Sequence, residues 1–520
     1  MLRKLIAMLL VAVMSVAVLA SCGGGGESQS QSKPSSSESQ SQSGSESGSE
    51  SEGTDWSNVN FNGTELKISI SVNQDEECTF PAADIYTRGP DHASSDNVQK
   101  MVLDRNAYVA DSLGLSIVYE ETDWKYDGVY PHLQQLVQLG GSDAPDIYNN
   151  DIYGMLRGML DNAFRNVLDP DESLNETSYF NFETEGWYWD YMQGTTFDPE
   201  KVYLVASDYF IDIIRMAWVI YLNVELYNEA WSSAYSLEDL YMMTLDGQWD
   251  YSFLMQLAEE SHRDTSTPGI TDKDDEVIGF VGNSVMPRVF IWTNGLSIAE
   301  FDEDGYPVAL REALPDMYES ALGYRDLYNN KGVMVTTNVL GSTELFLQKT
   351  SVLAMSVLGE MESEQVRSVE GLTKGVMPYP KYSMTEQKQY HTLVHDQAEI
   401  AAIMNTTSKF TEASAWLQMM AEESVAVLGE YYEKTLKLKY NDDPLNKQMI
   451  DLVHDTIDSP FESLMISYIT GASDAATNIY SLFDAIAKNN DDSFNSSYES
   501  KYDAFNIKFG EIRDKYLELD

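Results

Sequence analysis

Between residues 65 and 148 the chain alternates strand patterns with helical ones, and this order restricts the architecture more than any other feature. Residues 65–72 (ELKISISV) alternate apolar and polar positions and are rich in β-branched side chains, as in a strand with one buried face. Residues 96–113 carry apolar side chains at helical spacing and stop at Gly114, a residue type that ends helices well. A second strand follows at 115–119 (LSIVY). A helix at 132–139 then ends at Gly140-Gly141, and Ala144-Pro145-Asp146-Ile147-Tyr148 opens a third strand. Strands that alternate with helices in this way predict βα units around a mainly parallel sheet, an α/β fold. Further along, 201–206 and 216–222 read as strands, the latter followed by Asn223 and a helix. Residues 301–307 (FDEDGYP) read as a hairpin turn, and 408–434 and 474–515 as mostly helical, with no internal repeat.

At 520 residues the chain exceeds one hydrophobic core and predicts two or three domains. Its 33 Lys+Arg against 84 Asp+Glu give a net charge of −51, which excludes nucleic acid and an anionic bilayer surface as partners because phosphate repels it. The 43% hydrophobic and 11% aromatic content still supplies a packed core, so the charge reads as a solubilising surface. No cofactor or metal is expected. His391 and His395 have i,i+4 spacing, but no Glu follows His391 and the stretch looks extended, so it does not read as a zinc site. Asp272, Asp274, Asp275 and Glu276 lack the glycine and spacing of a calcium loop.

The N-terminus carries Arg3 and Lys4, an apolar run from 5 to 19 too short for an ordinary span, and Leu19-Ala20-Ser21-Cys22. This resembles the bacterial lipobox, whose thiol is acylated before cleavage. Residues 1–21 are then a lipoprotein signal peptide, and 22–54 are the lipidated Cys22 and a flexible Ser/Gly/Glu tether. The resemblance implies attachment through the lipid to the outer face of the cytoplasmic membrane of a Gram-positive type bacterium. Cys78 is left without a disulfide partner. Its neighbours Asp75, Glu76 and Glu77 raise a thiol pKa, so no catalytic role is expected for it.

Seven stretches of the body, taken in order, resemble the extracellular solute-binding proteins of ABC importers, in the group that includes sugar binders. They are 136–147 (LVQLGGSDAPDI), 162–170 (NAFRNVLDP), Trp187-Tyr188-Trp189-Asp190, Lys201-Val202-Tyr203 with Tyr221-Leu222-Asn223, 237–249 ending Asp246-Gly247-Gln248-Trp249, 345–355, and Val376-Met377-Pro378-Tyr379-Pro380. The resemblance implies a two-lobed, type II-like fold with a ligand cleft between lobes and hinge crossings near 206–212 and 395–398. Lobe I would hold 55–208 plus about 398–440, and lobe II 209–397 plus about 441–520. It also implies a monomeric binder, not an enzyme, that hands a carbohydrate or oligosaccharide to permease subunits. The alternatives are an exported glycoside hydrolase, which needs only a carboxylate pair, or a surface adhesion or sensor lipoprotein. Met361 departs from relatives that carry a stacking Trp in this loop.

Open α/β sheets bind ligands beyond the carboxyl ends of their strands, and a sugar needs flat aromatic faces with carboxylates and amides. These rules select Asn73, Gln74 and Asp75 after the first strand and Tyr148, Asn149, Asn150 and Asp151 after the third. They add Asp208 and Tyr209 at one crossing, His395 and Asp396 at the other, and Trp292, Asn294 and Glu360 in lobe II. Each polar residue has an alternative role as a turn former or helix cap. Trp187 and Trp189 read either as a cleft wall or as a packed edge.

Overall fold

The structure, a computed structural model, describes residues 54–72, 84–92, 94–123, 128–140, 143–198, 200–263, 277–310, 314–362, 369–383, 387–439, 443–466, 478–489 and 493–519. Cys22, Asn73, Gln74, Asp75, Cys78 and the 272–276 acidic loop lie outside them, as does the side chain of Met361. The strands are β1 (Thr64–Ser71), β2 (Leu115–Thr122), β3 (Ile147–Asp151), β4 (Trp218–Asn223), β5 (Ile278–Gly282), β6 (Ala299–Phe301), β7 (Pro307–Ala309), β8 (Val333–Val335), β9 (Ser351–Val357), β10 (Lys374–Met377) and β11 (Glu399–Ile403).

They form two main sheets. The first runs β11-β3-β1-β2, with β1 parallel to β2 and β3, and β11 antiparallel to β3. The second runs β10-β4-β9-β5-β8, in which β4 is antiparallel to both of its neighbours. β6 and β7 make the expected hairpin. The helix between β1 and β2, Asn97–Leu113, starts where Asp96 accepts a hydrogen bond from the Gln99 N–H at 3.2 Å. It ends at Gly114 with φ +61°, where a Cβ would come 2.5 Å from Asn60 Oδ1. β3 is an inner strand of the sheet and is buried at all five positions, so neither of its faces is solvated and it shows no polar alternation. Asp146, just before it, explains the local motif. Its carboxylate accepts from the Lys67 N–H and Lys409 Nζ, both at 2.9 Å, and from Thr407 Oγ1 at 2.6 Å.

Two segments lead from the strands of one sheet to those of the other. After β11 the chain returns once more, since the helix Phe410–Glu430 packs on Asn97–Leu113 whereas Pro444–Asp455 packs on β10. Val205 still bridges Ala401 of the first sheet, whereas Ala217 bridges Val394 beside the second, so the crossings are 206–216 and 395–398. The first runs past Asp212 because a short helix, Asp212–Arg215, is inserted there. The crossings are tied together: the His395 N–H donates to Met216 O at 2.7 Å, and the Glu399 N–H to Asp212 Oδ2 at 3.2 Å. One sequence expectation needs correction. Residues 201–206 make only an isolated bridge, since the Val202 N–H donates to the Asn166 side chain at 3.0 Å instead of joining a ladder.

Candidate ligand cleft

The carboxyl ends of β3, β5 and β9 and the amino end of β4 gather at the two crossings. At the end of β3, Asp151 caps the helix Ile152–Met159 by accepting from the Gly154 N–H at 2.9 Å. The next two amides, of Ile152 and Tyr153, donate to Ala398 O and Asp396 O of the second crossing at 3.0 and 3.2 Å. After β9, the turn Leu358–Glu362 begins with the Leu358 N–H donating to Ala217 O at 2.9 Å, and a Cβ on Gly359 would meet Arg215 O at 3.0 Å. After β5, Asn283 fixes its own loop: Nδ2 donates to Val339 O at 3.0 Å, and Oδ1 accepts from the Val285 N–H. Strand ends from both sheets therefore meet across one junction, which is where a ligand held between lobes would be enclosed.

The junction is charged. Asp396 binds Arg288 Nη1 at 2.9 Å through one oxygen, and its other oxygen lies 2.7 Å from His395 Nδ1. The His395 ring packs at 5.0 Å on Trp218, the first residue of β4. At the other crossing, Asp212 pairs with the wholly buried Arg215, whose guanidinium lies 4.8 Å from the Tyr86 ring. Asp212 thus neutralises one cation while holding the first amide of β11, directly after the opposite crossing. Sequence reading missed Asp212, Arg215 and Arg288. The available signal was ionic residues embedded in the apolar run Ile211-Asp212-Ile213-Ile214-Arg215-Met216, because such groups are buried only when paired.

The predicted residues separate into groups. His395 and Asp396 lie at the junction, and Glu360 is buried in the turn beside Arg215. Tyr148, Asn149 and Asn150 lie within β3 instead of the loop after it, because the strand continues to Asp151 against β11. Tyr148 turns to the helix Val129–Leu139, its hydroxyl 2.9 Å from His132 Nδ1. Asn149 is wholly buried, and both of its amide atoms lack a hydrogen-bond partner among the described residues. That is a costly arrangement in a finished core and a useful one at a ligand site.

Asp208 is nearly buried, and desolvation lifts its carboxyl to about 7. A Tyr188 hydrogen bond opposes the shift and Glu185 adds to it. Tyr209 belongs to the core, with the Arg105 guanidinium 5.0 Å from its ring centre. Arg105 is itself pushed down to about 10 by burial.

Trp292 and Asn294 do not follow a strand. Trp292 lies in the helix Met286–Thr293 and Asn294 caps its end, because Gly295 with φ +67° terminates a helix here. Trp292 is 3% exposed, and its indole N–H donates to the Tyr480 hydroxyl at 2.8 Å. It lines a recess of about 410 Å³ whose other walls include Asp190, His391, Phe461 and Glu462. His391 is engaged by Asp458 at 2.8 Å, and burial raises Glu462 to about 7. Trp187 forms a packed edge: its N–H donates to Gln418 at 3.1 Å and its ring lies 5.0 Å from Phe182. Trp189 also packs on Phe182 at 5.0 Å.

Two α/β sheets joined through paired crossings, with strand ends facing the junction, define the fold as that of the two-lobed solute-binding proteins. The chain is similar to UgpB from Mycobacterium tuberculosis in complex with glycerophosphocholine, with a TM-score of 0.53 at 12% identity over 88% of this chain and 99% of that one. It is equally similar, at 0.53 and 12%, to a cyclic α-maltosyl-1,6-maltose binding protein from Arthrobacter globiformis, over 86% and 100%. The ABC substrate-binding protein Lmo0181 from Listeria monocytogenes, in complex with cycloalternan, matches at 0.51 and 13% over 86% and 99%. At these identities the likeness defines the fold. No family model and no curated protein matches the chain.

Proposed function

We propose that the protein captures a neutral oligosaccharide between its two lobes and delivers it to the permease of an ABC importer without breaking a bond. The observation that carries this reading is the convergence of strand ends from both sheets on the paired crossings, in an architecture shared with three solved solute-binding proteins. Two of those three are named for or solved with cyclic glycans. The chemistry of the junction agrees. Arg215 and Arg288 are each matched by a carboxylate, so the crossings do not present a bare cationic pocket for an anion. The unspent amide of Asn149, together with Asp396 and His395, suits hydroxyl groups, which both donate and accept. Closure of the lobes about the crossings would supply affinity by burying the solute.

In this reading Cys22 carries the lipid, and the Ser-rich segment that follows is a tether. These hold the body at the outer face of the membrane, within reach of the permease. Two or more acyl chains anchor far more firmly than one.

A thermal-shift screen of the protein against linear and cyclic oligosaccharides, peptides and glycerophosphodiesters tests the proposal. A saccharide at about 100 times its Kd adds about 2.7 kcal/mol of stability and moves the melting temperature accordingly. A shift by a peptide or phosphodiester and by no saccharide overturns the carbohydrate assignment. Release of reducing ends from a bound glycan supports the hydrolase instead.

A further inference from the structure

The helix Met286–Thr293 carries Arg288 and Trp292 four positions apart, so both stand on one face, a turn from each other. Both are met by Tyr480, which opens the helix Tyr480–Asn489 and lies 188 residues from Trp292 in sequence. The Trp292 indole N–H donates to the Tyr480 hydroxyl at 2.8 Å, with the two rings edge to face at 6.4 Å. The Arg288 guanidinium carbon lies over the Tyr480 ring, 5.4 Å from its centre. One tyrosine thus engages one residue through its hydroxyl and the other through its ring face.

Arg288 leads on to the junction. Its Nη1 donates to Asp396 Oδ2 at 2.9 Å, and Asp396 Oδ1 lies 2.7 Å from His395 Nδ1, whose ring packs 5.0 Å from that of Trp218. The carbonyl of Asp396 accepts from the Tyr153 N–H, just after β3, at 3.2 Å. Asp396 therefore touches both halves, its main chain meeting the first and its carboxylate the second. The Arg288 and Asp396 side chains are 24% and 13% exposed, and a pair that water still reaches is held weakly by charge alone, because side-chain entropy opposes it. An aromatic face against the flat guanidinium restricts that freedom and leaves the edge of the fork for the carboxylate.

We infer that Tyr480 is a positioning residue for the cleft: acting through Arg288, it fixes the Asp396 carboxylate for the saccharide, a role that rests on Asp396 being a saccharide contact as proposed above. The two parts of the side chain are unequal in this role. The ring holds Arg288, whereas the hydroxyl serves Trp292, so phenylalanine should replace the tyrosine and leucine should not.

Calorimetric titration of the full protein tests this, with the saccharide that most raises its melting temperature among linear and cyclic gluco-oligosaccharides. Tyr480→Leu should bind it at least ten-fold more weakly than the parent. Tyr480→Phe should stay within about two-fold, and Tyr480→Leu in an Asp396→Asn background should add no more than about two-fold, because it acts through that carboxylate. Arg288→Lys keeps the charge but not the flat face, so it should weaken binding as Tyr480→Leu does, and it serves if the leucine variant does not fold. Side-chain nitrogen NMR gives a readout that needs no saccharide. The Arg288 guanidinium resonance, assigned by its loss in Arg288→Lys, should move in Tyr480→Leu and hold in Tyr480→Phe. Parent-like affinity in Tyr480→Leu or Arg288→Lys, or an undiminished loss in the Asp396→Asn background, overturns the positioning role. A parent that binds no saccharide overturns the carbohydrate reading and this role with it, whereas an unmoved Arg288 resonance beside normal saccharide binding overturns the role alone.

Discussion

Replacing Asp208 by Asn should change how stability depends on pH, by an amount that follows from where the side chain sits. Asp208 lies at the start of the first crossing, 9% exposed, and burial raises its carboxyl from 3.8 to about 7. The folded protein therefore holds this proton more tightly than the unfolded chain. That stabilisation is fully present below about pH 4 and is lost as pH rises through about 7. Three pK units correspond to about 4 kcal/mol, and residual contact with water brings the expected loss to about 2–4 kcal/mol. Asn does not titrate and keeps an oxygen for the Tyr188 hydroxyl. The variant should thus match or fall below the parent at pH 4.5 and gain about 2–4 kcal/mol relative to it by pH 8.5. Urea unfolding of both proteins at intervals across this range measures the difference directly, and the general effect of the acidic surface cancels in the comparison. A difference that stays constant with pH would refute the burial argument.

Other perturbations have defined outcomes. Asp212→Asn leaves Arg215 buried without its carboxylate and should cost about 3–5 kcal/mol in urea unfolding, whereas an exposed change such as Glu511→Gln should shift stability by no more than about 0.5 kcal/mol. Asp396→Asn weakens the hold on Arg288 and His395 together; glycan affinity measured by calorimetry should fall at least ten-fold while the melting temperature moves little. Asn149→Leu removes an unpaired buried amide, so thermal stability should hold or rise while glycan affinity falls, a separation that a purely structural role would not produce.

Much of the fold was legible because its early units are locally consistent. The alternation in β1, the Gly114 stop and the Ala-Pro-Asp-Ile turn each predict the element that forms, and Asp146 shows why that turn is built from those residues. The crossings near 206 and 395 were also legible, though only through the resemblance, since no local pattern marks a chain passing between sheets. What failed did so for physical reasons. An aromatic residue ahead of Gly295 reads alike at a strand end and at a helix end, and only tertiary packing placed Trp292 in a helix. β3 carries Asn149 and Asn150 inside a strand because their backbone stays paired with Ala401 and Ile400 of β11, overriding the weak strand propensity of Asn. The ionic groups at the crossings were invisible as pairs, because the pairing of Arg288 with Asp396 spans more than a hundred residues of sequence.

Capture without turnover is put to the test by isothermal titration of the protein with the saccharide that most raises its melting temperature, followed by mass analysis of the recovered ligand. The expected result is one saccharide per chain, a negative heat-capacity change from burial between the lobes, and a glycan recovered intact. A cleaved glycan, or tight binding that survives Asp396→Asn and Asn149→Leu together, would contradict it.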